Sequence, residues 1–500
     1  MIDFQTLQLN PLTSYTTKTS ISITNPINLS PKEIQIFNLF KEIIKEKNLE
    51  NIELRVVGGW VRDHLLNVPC NDLDITIKGI DSNTFAKFLN EKANKGKYTL
   101  VNNTLKKSND TEIKLTKTKI FDIMIDFVDM KGNALEDAKR RDFTFNALFY
   151  NILENKIEDL LELGINDLKN GFIRPCLYIN EDKIYDSLRI LRMVRFASKY
   201  QFIIDDKYLS DIKHNKAIFK YDLLKKVPKE IIHKEMYSIF SGPNPSFAIY
   251  TLYKLDLLKN ALHLDDEYRN NIGHLFSKKD ILICVNIFIV GKKVFDKYQS
   301  CFEGDKYDNN YKSSFYPILL TIYLSNFIDI NNNNLAKIIL AKVLKLESKI
   351  PLKIINHFDE FNNFIAKNEY NKLNVGILLR QILIKNISAM TFISVANEYV
   401  MKNNFNDALV KLDDELLEKI FQKYYNFYKF MKKENMRNAC DIKPIIDGKR
   451  IKKIFPGMPD KYIGQLIKAL INKQIETNNF SEEDAEEVLK SKIVELNIGF

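Results

Sequence analysis

The spacing of apolar residues changes character once along this chain. Up to about Asn151, short stretches of helical and strand spacing alternate. Pro31 to Lys47 carries apolar residues on one helical face, with Ser30 placed to cap the first turn ahead of Pro31. Ile52 to Val57 reads as a strand, Trp60 to Leu66 as a short helix, and Asp72 to Lys78 as a second strand. Asn83 to Lys95 is helical, and two more strands are expected at Glu112 to Thr116 and Ile120 to Val128. From about Glu181 the spacing is overwhelmingly helical: Lys183 to Tyr200, Pro228 to Phe240, Pro245 to Leu258, Tyr316 to Asn326, Leu335 to Leu346 and Asp414 to Lys433. No internal repeat and no Gly/Ser- or Pro-rich linker interrupts this. The pattern predicts an α+β chain, a small mixed head carried on a long helical remainder.

Composition narrows the picture. A chain of 500 residues, 45% of them hydrophobic, can bury large cores and implies several domains. Its longest apolar run, Ile281 to Val290, falls well short of the roughly 20 residues of a membrane span and contains Asn286, so a buried helix or strand is expected. The formal charge of +10 suits a polyanionic partner, although Lys- and Asn-rich composition from an A/T-rich genome gives the same excess. The five cysteines (Cys70, Cys176, Cys284, Cys301 and Cys440) are scattered without paired spacing. That argues against a disulfide framework and against a zinc site, and fits a reducing, intracellular compartment. The first 28 residues are rich in Ser and Thr, with Lys18 and Asp3 their only charges. They share the acid-poor character of a mitochondrial transit peptide but lack its arginines, so a disordered tail is expected. Cytoplasm and nucleus are the expected compartments, with the mitochondrion left open.

Three constellations carry chemistry. In the first, Val57-Gly58-Gly59-Trp60-Val61-Arg62-Asp63 reads as strand, glycine turn and helix start. Such a turn lets the backbone approach a ligand, and the following amides favour phosphate; most Gly-Gly pairs are nevertheless plain turns. Downstream, Asn71-Asp72-Leu73-Asp74-Ile75 places two aspartates two apart on a strand. They share one face while Leu73 and Ile75 point into the core. Paired like charges are costly unless a cation lies between them, and two Mg²⁺ ions bridging to a nucleotide phosphate would supply it. Asp72 and Asp74 are therefore the expected metal and catalytic carboxylates.

This segment resembles the class II tRNA nucleotidyltransferases, the CCA-adding enzyme family that also includes bacterial poly(A) polymerases. The family signature, Gly-Gly-x-Val-Arg-Asp, a short spacer and Asp-x-Asp, is met from Gly58 to Asp74. The resemblance implies a polymerase-β-like nucleotidyltransferase head in which an RNA 3′-hydroxyl attacks the α-phosphate of CTP or ATP and pyrophosphate leaves. It implies Gly58, Gly59 and Arg62 at the nucleotide, and Asp126 on a later strand as a third carboxylate or, equally, a strand-end charge. It implies tRNA, CTP and ATP as partners, with no membrane and no obligate protein partner. Along the chain it implies a head over 29–155, a helical neck over 156–255 holding the nucleotide-selecting helix, a body over 256–410 and a tRNA-contacting tail over 411–500, behind a tail of 28 residues.

The second constellation, Arg140-Arg141-Asp142-Phe143-Thr144-Phe145-Asn146, combines arginine forks suited to phosphate with an acid and an amide suited to ribose hydroxyls. On a helix Asp142 and Asn146 would share a face; the plain alternative is a surface helix start. It is similar to the family's second motif, which contacts the sugar, so Arg141, Asp142 and Asn146 are implied at the nucleotide. Glu158-Asp159-Leu160 with Gly164, Asp167 and Leu168 looks like the third motif, with Gly164 a hinge or an ordinary turn glycine.

In the third, Ile184-Tyr185-Asp186-Ser187-Leu188-Arg189 runs on to Arg192 and Arg195. Asp186 and Arg189, three apart on a helix, would project together. A carboxylate accepts from an exocyclic amine while a guanidinium donates to a ring acceptor, a pattern that cytosine and adenine fit and uracil and guanine reverse. Each mispaired contact should cost roughly 1–3 kcal/mol. The bland reading is a solvated salt bridge. The segment resembles the family's fourth motif, an acid pair then Arg, with Tyr185 in place of the first acid. Arg192 is implied at the nucleotide, and Arg192 and Arg195 are spare charges able to reach phosphate or RNA.

Two departures stand out. In the fifth motif Lys229, Glu230 and Glu235 match, but Ile231 and Ser238 replace basic residues. The connector from Asp129 to Lys139 is short, where CCA-adding relatives usually carry a longer loop and enzymes adding only C-C tend to lack it. A looser resemblance to fungal-type members continues through Leu417 to Met431, Ile442 to Lys449 and Lys461-Tyr462-Ile463-Gly464-Gln465. Lys449, Arg450, Lys452 and Lys453 form a basic stretch that reads either as an RNA phosphate contact or as a solvated helix end. The sequence therefore predicts a tRNA 3′-terminal nucleotidyltransferase adding CCA, or C-C alone. A poly(A) polymerase of the same class is the second reading. A degenerate RNA-binding protein is the third, and Asp72, Asp74, Arg141 and Asp142 speak against it.

Overall fold

The computed structural model describes residues 27–93, 105–106, 115–121, 123–130, 132–179, 186–262, 278–302, 357–382, 387–403, 410–477 and 479–498. Most of the expected N-terminal tail and the expected helices Tyr316–Asn326 and Leu335–Leu346 lie outside the described residues, as does Tyr185. The chain forms two compact units. One holds the chain up to Pro228 with Lys254–Leu257, the other Lys229–Tyr253 with everything from Leu258 onward. The division falls inside the stretch expected as neck.

The first unit is built on a mixed sheet that, among the described residues, has seven strands in the order β3-β4-β5-β2-β1-β6-β7. These are β1 (Glu53–Val57), β2 (Asp72–Lys78), β3 (Leu105–Lys106), β4 (Leu115–Ile120), β5 (Ile123–Asp129), β6 (Phe149–Asn151) and β7 (Lys156–Glu158). All pairings are antiparallel except β2 with β5. The strand expected over Ile120–Val128 is in fact the end of one hairpin arm and most of the next. Phe121 turns the chain with φ +54°, and the apolar run hides the turn because it continues through that residue.

Helix α1 (Pro31–Glu46) opens with the expected Ser30 cap, completed as a capping box by Glu33. Its apolar face buries Ile36, Phe37, Leu39, Phe40 and Ile43. Phe37 meets Trp60 and Tyr150, and Phe40 meets Phe85 and Phe127, so one aromatic cluster ties α1, α2 (Gly59–Leu65) and α3 (Ser82–Ala93) to the sheet. Each such side chain contributes roughly 1.5–3 kcal/mol by leaving water. Beyond the sheet come α4 (Ala134–Arg140), α5 (Gly164–Asn170), the short parallel pair β8 (Phe172–Ile173) with β9 (Ile203–Ile204), α6 (Leu188–Tyr200), α7 (Asp206–His214) and α8 (Lys216–Lys225).

The second unit is helical throughout its described residues. It comprises α9 (Lys229–Phe240), α10 (Pro245–Lys254, shared in part with the first unit), α11 (Leu258–Ala261), α12 (Lys278–Tyr298), α13 (Phe358–Lys367), α14 (Lys372–Ile382), α15 (Ile387–Lys402), α16 (Asp414–Lys433), α17 (Gly448–Ile454), α18 (Asp460–Glu476) and α19 (Glu482–Glu495). The apolar run Ile281–Val290 is a buried stretch of α12, and its Asn286 is satisfied by accepting from the amide of Val410 at 2.9 Å. Tyr298 of α12 stacks on Phe421 of α16 at 3.7 Å between ring centres. Helices α17, α18 and α19 close a small core of their own around Ile451, Leu466, Leu470, Ala485 and Leu489. Among the described residues no single helix is long and apolar enough to cross a membrane.

Candidate functional site

Strand β1 delivers the chain to Gly58, whose φ of +72° is a conformation that side chains with a Cβ resist, and α2 starts at the next residue. A Cβ on Gly58 would stand 3.4 Å from Arg141 Nη1, and one on Gly59 would stand 3.4 Å from Arg62 Nη2. Both glycines are therefore bordered by guanidinium groups. Arg141 donates from Nη2 to Asp137 at 3.0 Å, while its buried Nε has no hydrogen-bond partner. A buried cationic N–H without an acceptor, beside a glycine turn, is a donor awaiting an anion.

Beside this turn lies β2. Val57 pairs with Asp74 in the β1–β2 ladder, so the turn begins where that carboxylate sits. Along β2, Asp72 and Asp74 are exposed while Leu73 and Ile75 are buried, which puts both acids on one face as the alternation predicts. The parallel register sets Asp126 of β5 directly across from Asp74. Burial and then the charge of Asp126 push the Asp74 carboxyl above its ordinary range, and Arg141 draws it partly back. Among the described residues no three acidic, His or Cys side chains close into a metal cage. Asp126 is instead turned to the Lys117 ammonium on the neighbouring strand. The donors gathered here are carboxylate oxygens alone, and two of them repel each other, so the set fits a hard divalent cation such as Mg²⁺ rather than zinc.

The second constellation is brought together by a different route from the helix expected. Arg141 ends α4 in an extended conformation, Asp142 follows, and Thr144–Asn146 forms one 3-10 turn. The reason lies in Phe143 and Phe145, which are both fully buried. An alternating apolar pair is a strand-like signal, and it breaks the helix. Asp142 and Asn146 still meet, with Asn146 Nδ2 donating to Asp142 Oδ1 at 3.0 Å.

Around that contact runs a continuous network. Arg192 donates from Nε and Nη2 to Asp142 Oδ2 at 2.8 and 2.7 Å. Arg62 Nη1 donates to Asn146 Oδ1 at 2.7 Å and Arg62 Nε to Asp63 Oδ1 at 2.8 Å. Tyr200 completes the chain by donating to Asp63 at 3.0 Å. Burial raises the Asp142 carboxyl, but the Arg192 charge, with hydrogen bonds from Asn146, Arg192 and the Phe143 amide, outweighs it and holds the group below the usual carboxylate range. Arg62 is only 6% exposed and lies over the rings of Phe196 and Tyr200. Arg192 is thus not a spare charge. Asp63, Tyr200 and Asp137 are members that sequence reasoning did not single out. Asp63 stood in the quoted signature, and Tyr200 follows Arg192 and Phe196 at four-residue steps along one face of α6.

Asp186 and Arg189 are placed differently from the paired helical projection. Asp186 precedes α6, its carboxylate accepting from the Leu188 amide at 2.9 Å, and Arg189 Nη2 donates to the Arg140 carbonyl at 2.6 Å. Arg195 lies over the Phe196 ring at 4.2 Å. Gly164 starts α5, and a Cβ there would come within 2.6 Å of the Thr144 carbonyl and 2.7 Å of Leu148. Close approach, rather than a turn conformation, explains that glycine. Between β5 and α4 the connector is only Met130 to Asn133, and Asn133 closes a capping box with Glu136.

In the second unit the basic stretch falls on α17. Arg450 is held by Glu482 at 2.8 and 2.6 Å and Lys452 by Asp460, whereas Lys449 and Lys453 are exposed and without a partner among the described residues.

Residues 54–174 match the family described as Poly A polymerase head domain. Over nearly the whole chain there is similarity to the mitochondrial CCA tRNA nucleotidyltransferase of Saccharomyces cerevisiae, with 26% identity covering 92% of each protein. A tRNA nucleotidyltransferase of Schizosaccharomyces pombe is 26% identical over 93% of this chain and 99% of its own length. The solved structure of the Thermotoga maritima CCA-adding enzyme complexed with tRNA superposes with a TM-score of 0.57 at 19% identity, covering 93% of this chain and 96% of that one. A complex of a CCA-adding enzyme with CTP gives a TM-score of 0.58 at 19% identity over 93% of this chain and 96% of that one. The fold is therefore a polymerase-β-like head with a mixed sheet, followed by a mostly helical remainder.

Proposed function

This chain belongs to the class II tRNA nucleotidyltransferases, the family of the CCA-adding enzymes, and we propose that it restores the 3′ end of tRNA by adding CMP and AMP from CTP and ATP. In each step the RNA 3′-hydroxyl oxygen bonds to the α-phosphorus, the bond from that phosphorus to the bridging oxygen breaks, and pyrophosphate leaves with the electron pair. The hydroxyl proton passes to solvent. The observation that carries this reading is the shared face of Asp72 and Asp74, aligned with Asp126 beside the Gly58 turn.

Members of this family generally use divalent metal. Here Asp72 and Asp74, with Asp126 once released from Lys117, would hold two Mg²⁺ ions, which when bound offset triphosphate charge and favour ionisation of the attacking hydroxyl. The remaining work falls to the chain's own groups. Gly58 and Gly59 admit the triphosphate close to the backbone, and the unpartnered Arg141 Nε donates to it. Asp142 and Asn146, fixed by Arg192 and Arg62, receive the ribose hydroxyls. Asp186 and Arg189 turn from their present contacts to read the amino group and acceptor nitrogen shared by cytosine and adenine. Lys449 and Lys453, and more weakly the paired Arg450 and Lys452 and the ring-stacked Arg195, meet RNA phosphate. The test is incubation of a tRNA lacking its CCA end with CTP and ATP. Complete CCA ends are expected, and Asp72→Ala should abolish them; unchanged turnover in that variant overturns the assignment.

One observation favours a second reading, in which only the two cytidines are added. The four-residue connector before α4, tied by its Asn133–Glu136 capping box, leaves no long loop where the resemblance ties such a loop to the switch from CTP to ATP. A tRNA ending in C-C, offered ATP alone, decides between the two: addition of one A sinks the C-C reading. Long A tails would point to a poly(A) polymerase instead. An intracellular compartment is part of the proposal, and the mitochondrial naming of the Saccharomyces cerevisiae and Candida glabrata relatives favours the mitochondrion among the alternatives.

A further inference from the structure

Gly464 lies inside α18, four residues from its start and far from its end. A glycine inside a helix costs roughly 1 kcal/mol relative to alanine, so its presence calls for a reason. Elsewhere in this chain the reason is crowding: a Cβ at Gly164 would meet a carbonyl and one at Gly376 would meet Ile475 at 2.4 Å. At Gly464 a Cβ would meet nothing within 4 Å. The residue is exposed and its φ is not in the left-handed region, so neither packing nor conformation accounts for it.

Its surroundings point to a ligand of one charge. Lys461, Gly464 and Lys468 follow at steps of three and four and share a stripe of α18, with Gln465 and Asn472 beside it. The helix's acids, Asp460 and Glu476, stand at its two ends and are each paired with a lysine. Helix α17 packs alongside, since a Cβ on Gly448 would stand 3.0 Å from Ile463 and Lys452 is paired with Asp460. One flank of that contact carries Ile451, Leu466 and Leu470 into the core. The opposite flank carries Lys449 and Lys453 on α17 and Lys461, Gly464 and Lys468 on α18. Four exposed ammonium groups and two amides thus frame a helix surface that lacks a side chain at its centre.

We propose that Gly464 is a seat for an RNA sugar–phosphate strand, which lies directly against the backbone of α18 while Lys461, Lys468, Lys449 and Lys453 contact the phosphates on either side. The proposal rests on the tRNA reading above and adds the surface that receives the body of that RNA away from the reacting end. A side chain at Gly464 would stand where the strand lies, which accounts for a glycine that the folded protein alone does not require.

The test is Gly464→Ala, which cannot fail by misfolding because the space is open and alanine favours the helix. Its melting temperature should rise by a few degrees, while the Kd for full-length tRNA weakens at least five-fold and KM for CTP is unchanged. Gly464→Gln should weaken tRNA binding further. The double variant Lys461→Gln/Lys468→Gln should lower the slope of log Kd against log salt by about 1 to 2. A Gly464→Ala protein that is more stable yet binds tRNA as the parent does overturns the proposal and leaves the activity intact. A parent chain that neither binds nor extends tRNA removes the functional reading, and this inference with it.

Discussion

Arg192 grips the carboxylate of Asp142 through two of its nitrogens, at 2.8 and 2.7 Å, and so joins the helix that begins after Asp186 to the turn that carries Asn146. Two segments that sequence reasoning treated as separate sites, one for ribose and one for base, are mechanically one. Arg192→Ala should remove a charge-assisted contact worth about 1.5–3 kcal/mol. The expected result is a ten- to hundred-fold fall in kcat/KM for CTP with weaker exclusion of dCTP, read from steady-state kinetics with both nucleotides. Unchanged discrimination would mean that the clamp serves stability alone.

Glu33 gives a pH signature of its own. It is 3% exposed and accepts from Trp60 Nε1 at 2.8 Å, from the Ser30 amide at 2.7 Å and from the Ser30 hydroxyl's side of the cap, with His64 Nε2 at 3.0 Å. Burial pushes its carboxyl up, but the hydrogen bonds from His64, Ser30 and Trp60 outweigh that and bring it down to about 2. A group depressed in the folded state stabilises it above its unfolded pKa near 4.5, and that contribution is lost as pH falls toward 2. At neutral pH it amounts to about 3 kcal/mol. Denaturant unfolding between pH 5 and 2.5 should show the parent losing stability more steeply than Glu33→Gln, which is weaker at pH 7 but flatter with acid (window taken from the same shift).

Gly164→Ala tests packing against hinge motion. With a Thr144 carbonyl 2.6 Å and a Leu148 methyl 2.7 Å from the new Cβ, the variant must shift the turn that holds Asn146. A loss of roughly 1–3 kcal/mol in stability is expected together with a raised KM for CTP. A variant of normal stability and slower turnover would restore the hinge reading.

Asn286→Ala should act on stability alone. The Val410 amide loses its acceptor inside an apolar helix bundle, at a cost of roughly 1–3 kcal/mol. Melting should fall by several degrees while KM for CTP stays at the parent's value, and a changed KM would show that α12 reaches the nucleotide.

Legibility in the sequence followed the range of the forces involved. Helix α1 and its Ser30 cap, strand β2 with its two acids, and α16 were readable because each rests on local periodicity and local capping. The glycine turn was readable because phosphate binding demands a specific short pattern. What stayed hidden depends on partners distant in the chain. Asp126 was an even choice until the β2–β5 register set it across from Asp74, and no spacing rule announces that Lys117 will hold it. The helix expected through Asp142 failed because Phe143 and Phe145 bury their rings in the shared core, a tertiary demand that overrides propensity. Arg192 looked unattached because its acceptor lies on another segment.

The one parallel pairing in the main sheet has an outcome for how the protein behaves before it is fully folded. Asp74 and Asp126 come from strands separated by a helix and a hairpin, and only the completed crossover aligns them. No fragment or early intermediate holding just one of these strands can assemble the pair. Unfinished chains are therefore inert toward nucleotides, and the cell is spared stray additions to RNA ends from newly made protein.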